Sequence, residues 1–199
     1  MITYILLFNP KSLKFSDLSY ILKSNKSKTV LSLFEDKDGN IWIGTYGQGV
    51  IIYNPKTKQI KSILSESNAS GTVTKIIQDK NGMIWIGTYA NGLYSVIPNS
   101  LVIKNYTTKN GLPSDKIYSI YENKKFWIAT SNGLNYFDFE KKEFKAYFEK
   151  DGLANSYIYD VLPDRKGNLW LPTNSGLTRF NPNMKNENGN AFKNYNTKD

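Results

Sequence analysis

The chain has 199 residues, enough for one domain with a buried core, and it contains neither cysteine nor histidine. That excludes disulfides, thiolate metal sites, a cysteine nucleophile and any mechanism that uses imidazole as base, ligand or proton switch near neutrality. The formal charge is +9, from 26 basic and 17 acidic residues, but lysine supplies nearly all of the basic side chains and they are scattered without a long run. The arginine forks that suit phosphates and base edges are almost missing, so nucleic acid is not an expected partner and the lysines read as a solvated surface.

The chain opens with MITYILLFNP, a short apolar stretch broken by Asn9-Pro10 and preceded by no basic leader. It reads as a strand, not as a signal peptide or membrane span, and no membrane contact is expected of this segment. LKFSDLSYIL (13–22) follows as a second strand. Residues 1–27 thus read as the outer half of a four-stranded unit.

From there one phrase recurs. Trp42, Trp85, Trp127 and Trp170 stand 42 or 43 residues apart, in GNIWIGTYGQGV (39–50), GMIWIGTYANGL (82–93), KFWIATSNGL (125–134) and GNLWLPTNSGL (167–177). Each phrase follows a strand-like segment that ends in Asp or Asn: TVLSLFED, TVTKIIQD, KIYSIYEN and YIYDVLPD. A third strand begins after Gly49, Gly92, Gly133 or Gly176, and a looser fourth follows. Asp/Asn-Gly pairs between the first two strands tolerate the positive φ of tight hairpins. The third repeat has only Asn123-Lys124-Lys125 there, so its turn is shorter. Four short antiparallel strands in each repeat predict an all-β chain of propeller blades. About four and a half blades are expected: 1–27 as the half blade, then 28–71, 72–115, 116–156 and 157–199.

The small residue two after each tryptophan, Gly44, Gly87 or Ala129, leaves room for a close neighbour. Pro172 takes that place in the last repeat, where the second strand is expected to end or bulge. On the first strands, Ser32, Lys75, Ser119 and Asp160 each lie between apolar residues two positions away, so alternation places the four on one face. The first strand of a blade is the innermost, which makes Lys75 and Asp160 candidates for lining a central channel. The last repeat completes its own blade, so no C-terminal strands are left to fill the first. The chain therefore reads as an incomplete ring, an arc of a seven-bladed propeller, with open edges that favour self-association.

The stretches DKDGNIWIGTYGQGVIIYNP (36–55) and DKNGMIWIGTYANGLYSVIP (79–98), with weaker copies at 123–139 and 164–182, resemble the two-component regulator propeller repeat. KNGLPSD (109–115) and KDGLANS (150–156) resemble that family's links between blades. The resemblance implies the periplasmic sensor region of a hybrid histidine kinase, of a kind often found in gut bacteria that degrade complex glycans. It also implies a location on the periplasmic or extracellular side of the envelope and a larger receptor of which this chain is one piece.

In a propeller, the turns between second and third strands share a face with the links between blades. Here that face carries Tyr46, Gln48, Tyr89, Asn91, Ser131, Asn132, Asn174 and Ser175, with Asn68, Ser114, Asp115, Asn155 and Ser156 from the links. Aromatic rings cover the apolar face of a pyranose and amides pair with its hydroxyls, so a glycan is the expected ligand. The same amides and hydroxyls also suit turns for backbone reasons alone. Asp36, Asp38, Asp79 and Asp164 are explained as turn residues, which leaves Asp115 and Asp160 as the carboxylates without a repeat position. Two such groups do not make a catalytic pair at a defined separation. No metal, cofactor or catalytic residue is expected. The function read from the chain is a ligand-sensing module that passes its signal to an attached kinase or regulator. The alternatives are a structural or protein-interaction propeller of the envelope, and a propeller glycosidase or lyase.

Overall fold

The computed structural model describes residues 5–22, 29–65, 71–185 and 190–196, and Asn68 lies outside these. Strands β1 (Leu6–Asn9) and β2 (Lys14–Asp17) pair as a hairpin. Next come β3 (Val30–Glu35), β4 (Ile41–Thr45), β5 (Val50–Tyr53) and β6 (Ile60–Ile63), then β7 (Val73–Gln78), β8 (Ile84–Thr88), β9 (Leu93–Val96) and β10 (Ile103–Tyr106). The third set is β11 (Ile117–Asn123), β12 (Lys125–Thr130), β13 (Leu134–Asp138) and β14 (Glu143–Tyr147). The last is β15 (Leu162–Pro163), β16 (Leu169–Thr173), β17 (Gly176–Phe180) and β18 (Phe192–Tyr195). Each set forms an antiparallel four-stranded sheet in simple up-and-down order. Four four-stranded blades and a two-stranded hairpin make the open propeller arc that the repeats predict.

The hairpin between the first two strands of a blade is built around an aspartate. Asp36 Oδ1 accepts from the backbone N–H groups of Asp38 (3.0 Å) and Asn40 (2.8 Å), while Oδ2 accepts from the indole of Trp42 at 2.8 Å. Asp79 repeats this with Asn81, Met83 and Trp85, and Asp164 with Lys166, Asn168 and Trp170. Carboxylate and tryptophan six residues apart thus form one unit: the acid closes the turn and satisfies the N–H of a ring that packs into the core. The third repeat has Asn123 in this place. Its turn is the short one, with Asn123 paired directly to Lys125 and Lys124 held at φ 55°.

The first three tryptophans are each buried by the following blade. Trp42 packs with Val73, Ile76 and Ile84, Trp85 with Ile117, Ile120 and Phe126, and Trp127 with Ile158, Val161 and Phe180. These three rings are 1%, 3% and 1% exposed, whereas Trp170 is half-buried. The small residue two beyond the ring sits at the closest approach. A Cβ on Gly44 would lie 2.5 Å from Val73 Cγ1, and one on Gly87 would lie 2.7 Å from Ile117 Cγ2. At the other end of the arc, Ile21 and Leu22 cover Ile43, Ile51 and Tyr53.

Three expectations about strands change. The second strand of the half blade ends at Asp17, not Leu22, because the Asp17 carboxylate takes the Ser19 N–H (2.7 Å) and turns the chain into a 3₁₀ helix at Ser19–Leu22. That turn is what delivers Ile21 and Leu22 to the first full blade. On the innermost strands, regular alternation is broken by a β-bulge: the register slips between Val30 and Ser32, between Val73 and Lys75, and between Ile117 and Ser119. Leu31, Thr74 and Tyr118 are the extra residues. A bulge moves every later side chain to the other face. The core therefore takes Ile76, Ile120 and Val161, while Ile77, Tyr121 and Leu162 are only partly buried or exposed. Finally, β16 runs through Pro172, which pairs with Leu177 of β17. Pro172 has no N–H to offer its other neighbour, so the interruption falls on the first strand instead: β15 keeps only two residues, plus an isolated bridge from Ile158 to Thr173.

Candidate functional site

The face that carries the turns between second and third strands is pinned by a threonine and a glycine in every repeat. Thr45 Oγ1 donates to the Gly49 carbonyl at 2.9 Å, Thr88 to Gly92 at 2.8 Å, Thr130 to Gly133 at 3.1 Å and Thr173 to Gly176 at 2.8 Å. These glycines have φ between 68° and 105°. A Cβ on Gly92 would stand 2.1 Å from the Tyr106 carbonyl oxygen, so only glycine fits where the fourth strand crosses behind the turn. The glycine N–H then reaches the link to the next blade, Gly92 to Asp115 O (2.9 Å) and Gly133 to Ser156 O (2.6 Å). Turns and links therefore lie together on one face.

On that face most of the polar residues singled out from the sequence hold their own turns. The Gln48 amide donates to Gly47 O (2.8 Å), and Asn132 donates to Pro113 O (3.1 Å). The Asn91 N–H donates to Thr88 Oγ1. Ser114 and Ser131 share a hydrogen bond of 2.8 Å, and the Ser175 N–H reaches Thr173 Oγ1. The Asp115 carboxylate accepts from Thr108 N–H (2.7 Å) and Oγ1 (3.1 Å), and Asn155 Oδ1 accepts from Tyr157 N–H (2.8 Å). Ser156 N–H donates to Glu149. Asp160 Oδ1 accepts from the neighbouring Val161 N–H (2.8 Å), and Lys75 is half-buried on β7. Tyr46 stands apart at the tip of the first blade, 63% exposed. Among the described residues no three carboxylates converge on a point that could hold a metal ion.

Two of the candidates, Tyr89 and Asn174, meet three tyrosines that the sequence reading passes over: Tyr118, Tyr157 and Tyr159. Tyr118 is central. Its ring centroid lies 6.1 Å from Tyr89, 5.1 Å from Tyr157 and 5.9 Å from Tyr159, and Tyr157 and Tyr159 are 5.1 Å apart. The hydroxyls of Tyr118 and Tyr157 are hydrogen-bonded, and Tyr159 donates to Asn174 Oδ1 at 2.6 Å. Lys116 places its ammonium 5.6 Å from the centroid of Tyr89, a cation–π contact. Burial, reinforced by the neighbouring Tyr157 hydroxyl, pushes the Tyr118 phenol well above the usual tyrosine range, so it stays a neutral donor. The bulge is what positions the cluster. Tyr118 is the extra residue of β11, and Tyr159 follows Ile158 in the same way, where the first two repeats have Leu31 and Thr74. The available signal was this departure from the repeat, together with the Tyr-x-Tyr spacing of 157–159.

A cavity of about 360 Å³ opens between the first two blades at the opposite ends of the strands, lined by Asp38, Asn40, Asn54, Gln59, Lys61 and Asn99 among others. Its amides largely serve turns: Asn54 donates to Asn40 Oδ1 at 2.7 Å and caps Lys56 and Thr57.

Residues 25–47, 68–90, 111–132 and 152–174 match the model of the two component regulator propeller. The chain belongs to that family. Extracellular domains of two-component systems are among the solved structures it resembles. One is the extracellular domain of a protein described as the hybrid two component system BT3049 from B. thetaiotaomicron, with 26% identity and a TM-score of 0.72 over 87% of this chain and 24% of that one. The corresponding domain of BT4673 from the same organism gives 21% identity and a TM-score of 0.69, over 85% of this chain and 24% of that one. This two-component regulator propeller thus spans about a quarter of the length of each. Virginiamycin B lyase from Staphylococcus aureus has the same fold, at 18% identity and a TM-score of 0.67, over 87% of this chain and 57% of the lyase. A catalytically inactive form of that lyase carries alanine in place of a histidine. No curated protein sequence matches the chain.

Proposed function

We propose that the chain is part of the extracytoplasmic sensor region of a hybrid two-component receptor, and that the face carrying its turns and inter-blade links recognises a glycan. The observation that supports this is the tyrosine cluster. The repeat explains the Thr-Gly turns, the Asp-Trp pairs and the close glycines in structural terms, but it does not call for four tyrosines in one place. Such positions, where repeats differ on a shared scaffold, are where recognition is built. Rings with hydroxyl and amide neighbours suit the alternating apolar and polar faces of a sugar. The membership of the family and the likeness to an extracellular domain of a two-component system support a location outside the cytoplasm, with the output carried by an attached kinase or regulator. The ligand shifts that output only through a difference in affinity between two arrangements of the receptor. Catalysis is not part of the reading, since the chain carries no histidine or cysteine to act as base or nucleophile.

The test is a titration of plant and host oligosaccharides against the chain by calorimetry, with product analysis of the same mixtures. Saturable binding without cleavage supports a sensor; cleavage, or binding unaffected by Tyr159→Ala, removes the argument. The exposed apolar side chains of the first hairpin, Leu6, Leu7, Phe8 and Phe15, favour self-association as a second property. Light scattering that shows a monomer at every concentration refutes it.

A further inference from the structure

We infer that Tyr89, Tyr118, Tyr157 and Tyr159, with Lys116 and Asn174, form one subsite for an acidic sugar unit, with the carboxylate of a uronic acid at Lys116 and its ring against the tyrosines. The inference rests on glycan recognition by this face and names its chemical class.

The residues form an uninterrupted path across three blades. Lys116 lies over Tyr89, Tyr89 meets Tyr118 edge to face at 78°, Tyr118 meets Tyr157 and Tyr159, and Tyr159 is bonded to Asn174. The two outer rings, Tyr89 and Tyr159, are 44% and 48% exposed, while Tyr118 and Tyr157 are partly buried beneath the same surface. Exposed rings braced by a second pair of rings present fixed apolar surface at little cost in side-chain entropy. The Tyr159 hydroxyl occupies the Asn174 carbonyl, which leaves the Asn174 NH₂ as a donor for a sugar hydroxyl.

The charge at one end selects the class of sugar. Lys145–Glu143 is the ion pair found among the described residues, and it is remote from this face. Asp115, next to Lys116 in the chain, directs both carboxylate oxygens at Thr108. Among the described residues, Lys116 therefore holds its ammonium at the rim with no carboxylate partner. The phenols add no opposing charge, since Tyr118 remains protonated far above neutral pH. A net charge of +9 adds a long-range attraction for anions. A neutral sugar would use the rings and leave Lys116 in water; a uronate uses both.

The test titrates oligosaccharides of galacturonate and glucuronate, the matching oligosaccharides of galactose and glucose, and a sulfated neutral oligosaccharide, with binding read by calorimetry and amide chemical shifts. The uronates are expected to bind about tenfold more tightly than their neutral counterparts at low salt. Lys116→Gln brings the two classes to within about threefold and leaves binding of the neutral sugars unchanged, whereas Tyr159→Ala weakens both by about tenfold. Lys193→Gln, on β18 and outside the cluster, changes neither. Near-UV circular dichroism confirms that the variants remain folded, and Tyr159→Phe, which keeps the ring, retains most of the affinity. Equal binding of acidic and neutral sugars, insensitive to Lys116→Gln, overturns the inference while glycan recognition stands. Preference for the sulfated sugar overturns the choice of a carboxylate. No binding of any of these sugars overturns both readings.

Discussion

Replacing Gly44 by alanine probes the contact that sets blade spacing. The added Cβ would stand 2.5 Å from Val73 Cγ1, 2.9 Å from Val73 Cβ and 3.2 Å from Ser32 Cβ. Carbon atoms pack best at about 3.5–4.0 Å, so the first and second blades would have to part by about 1 Å. Val73 is fully buried and cannot swing aside. Overpacking of this kind costs about 1–3 kcal/mol, while removing glycine from a strand returns about 0.4–1 kcal/mol through the unfolded chain. The balance is a loss of about 1–2 kcal/mol. Val73→Ala alone costs about 2 kcal/mol by leaving a cavity. If the clash is the cause, the double variant Gly44→Ala/Val73→Ala is less destabilised than the sum by at least about 1 kcal/mol, since the new methyl fills part of the space vacated. Urea unfolding at constant m-value measures all four corners of the cycle. The third blade meets the fourth with Ala129 against Ile158, so the fold accommodates one methyl here when the spacing is built for it. A Gly44→Ala variant as stable as the parent, or effects that simply add, would refute the close-approach argument.

The turn carboxylates make stability depend on acid. Asp164 is held down to about 2, chiefly by the Asn168 side chain, against the opposing effect of burial and with help from backbone N–H groups and the Trp170 indole. At Asp36 burial opposes ionisation, but the Trp42 indole and Asn40 outweigh it and the carboxyl is again lowered. A lowered folded-state value contributes stability above the unfolded value of about 3.9, and the contribution is lost as pH falls toward 2. The melting temperature should therefore drop over that window, and Asp164→Asn should flatten the drop while lowering the plateau at neutral pH; an unchanged acid limb contradicts the assignment. Lys124 occupies left-handed backbone at φ 55°, and Lys124→Gly should stabilise the chain by about 0.5–1 kcal/mol in the same urea assay. A loss of stability there would mean that the side chain contributes more than its backbone strain costs.

Much of the fold is legible in the repeats because each element has its own chemical signature. Trp42, Trp85, Trp127 and Trp170 set the period, Asp-x-x-Gly marks the hairpin, and Gly49 and its counterparts mark the crossing behind the second turn. The bulges were not legible. VLSLF and IYSIY alternate smoothly, and whether Ile76 or Ile77 enters the core depends on the neighbouring blade, not on the strand itself. Pro172 lacks a donor as expected, but the second strand neither ends nor bulges there, because the missing bond falls on the side of the first strand. The tyrosine cluster escaped for the same reason as the bulge: Tyr118 and Tyr159 look like ordinary strand residues until the extra position turns them onto the face. The amides proposed for ligand contact are where the repeat puts them, and their bonds to backbone reflect the turn preference that made them hard to weigh.

Each of the first three indoles is supplied by one repeat and sheltered by the next, so the unit that repeats in the sequence and the unit that packs in the protein are out of phase by part of a blade. A whole repeat inserted between two others arrives with a shelter for the ring before it and a ring for the shelter after it. Copy number can therefore change while every internal junction stays satisfied. A cut between a tryptophan and the strand that follows its blade has the opposite effect: it leaves an aromatic ring facing water.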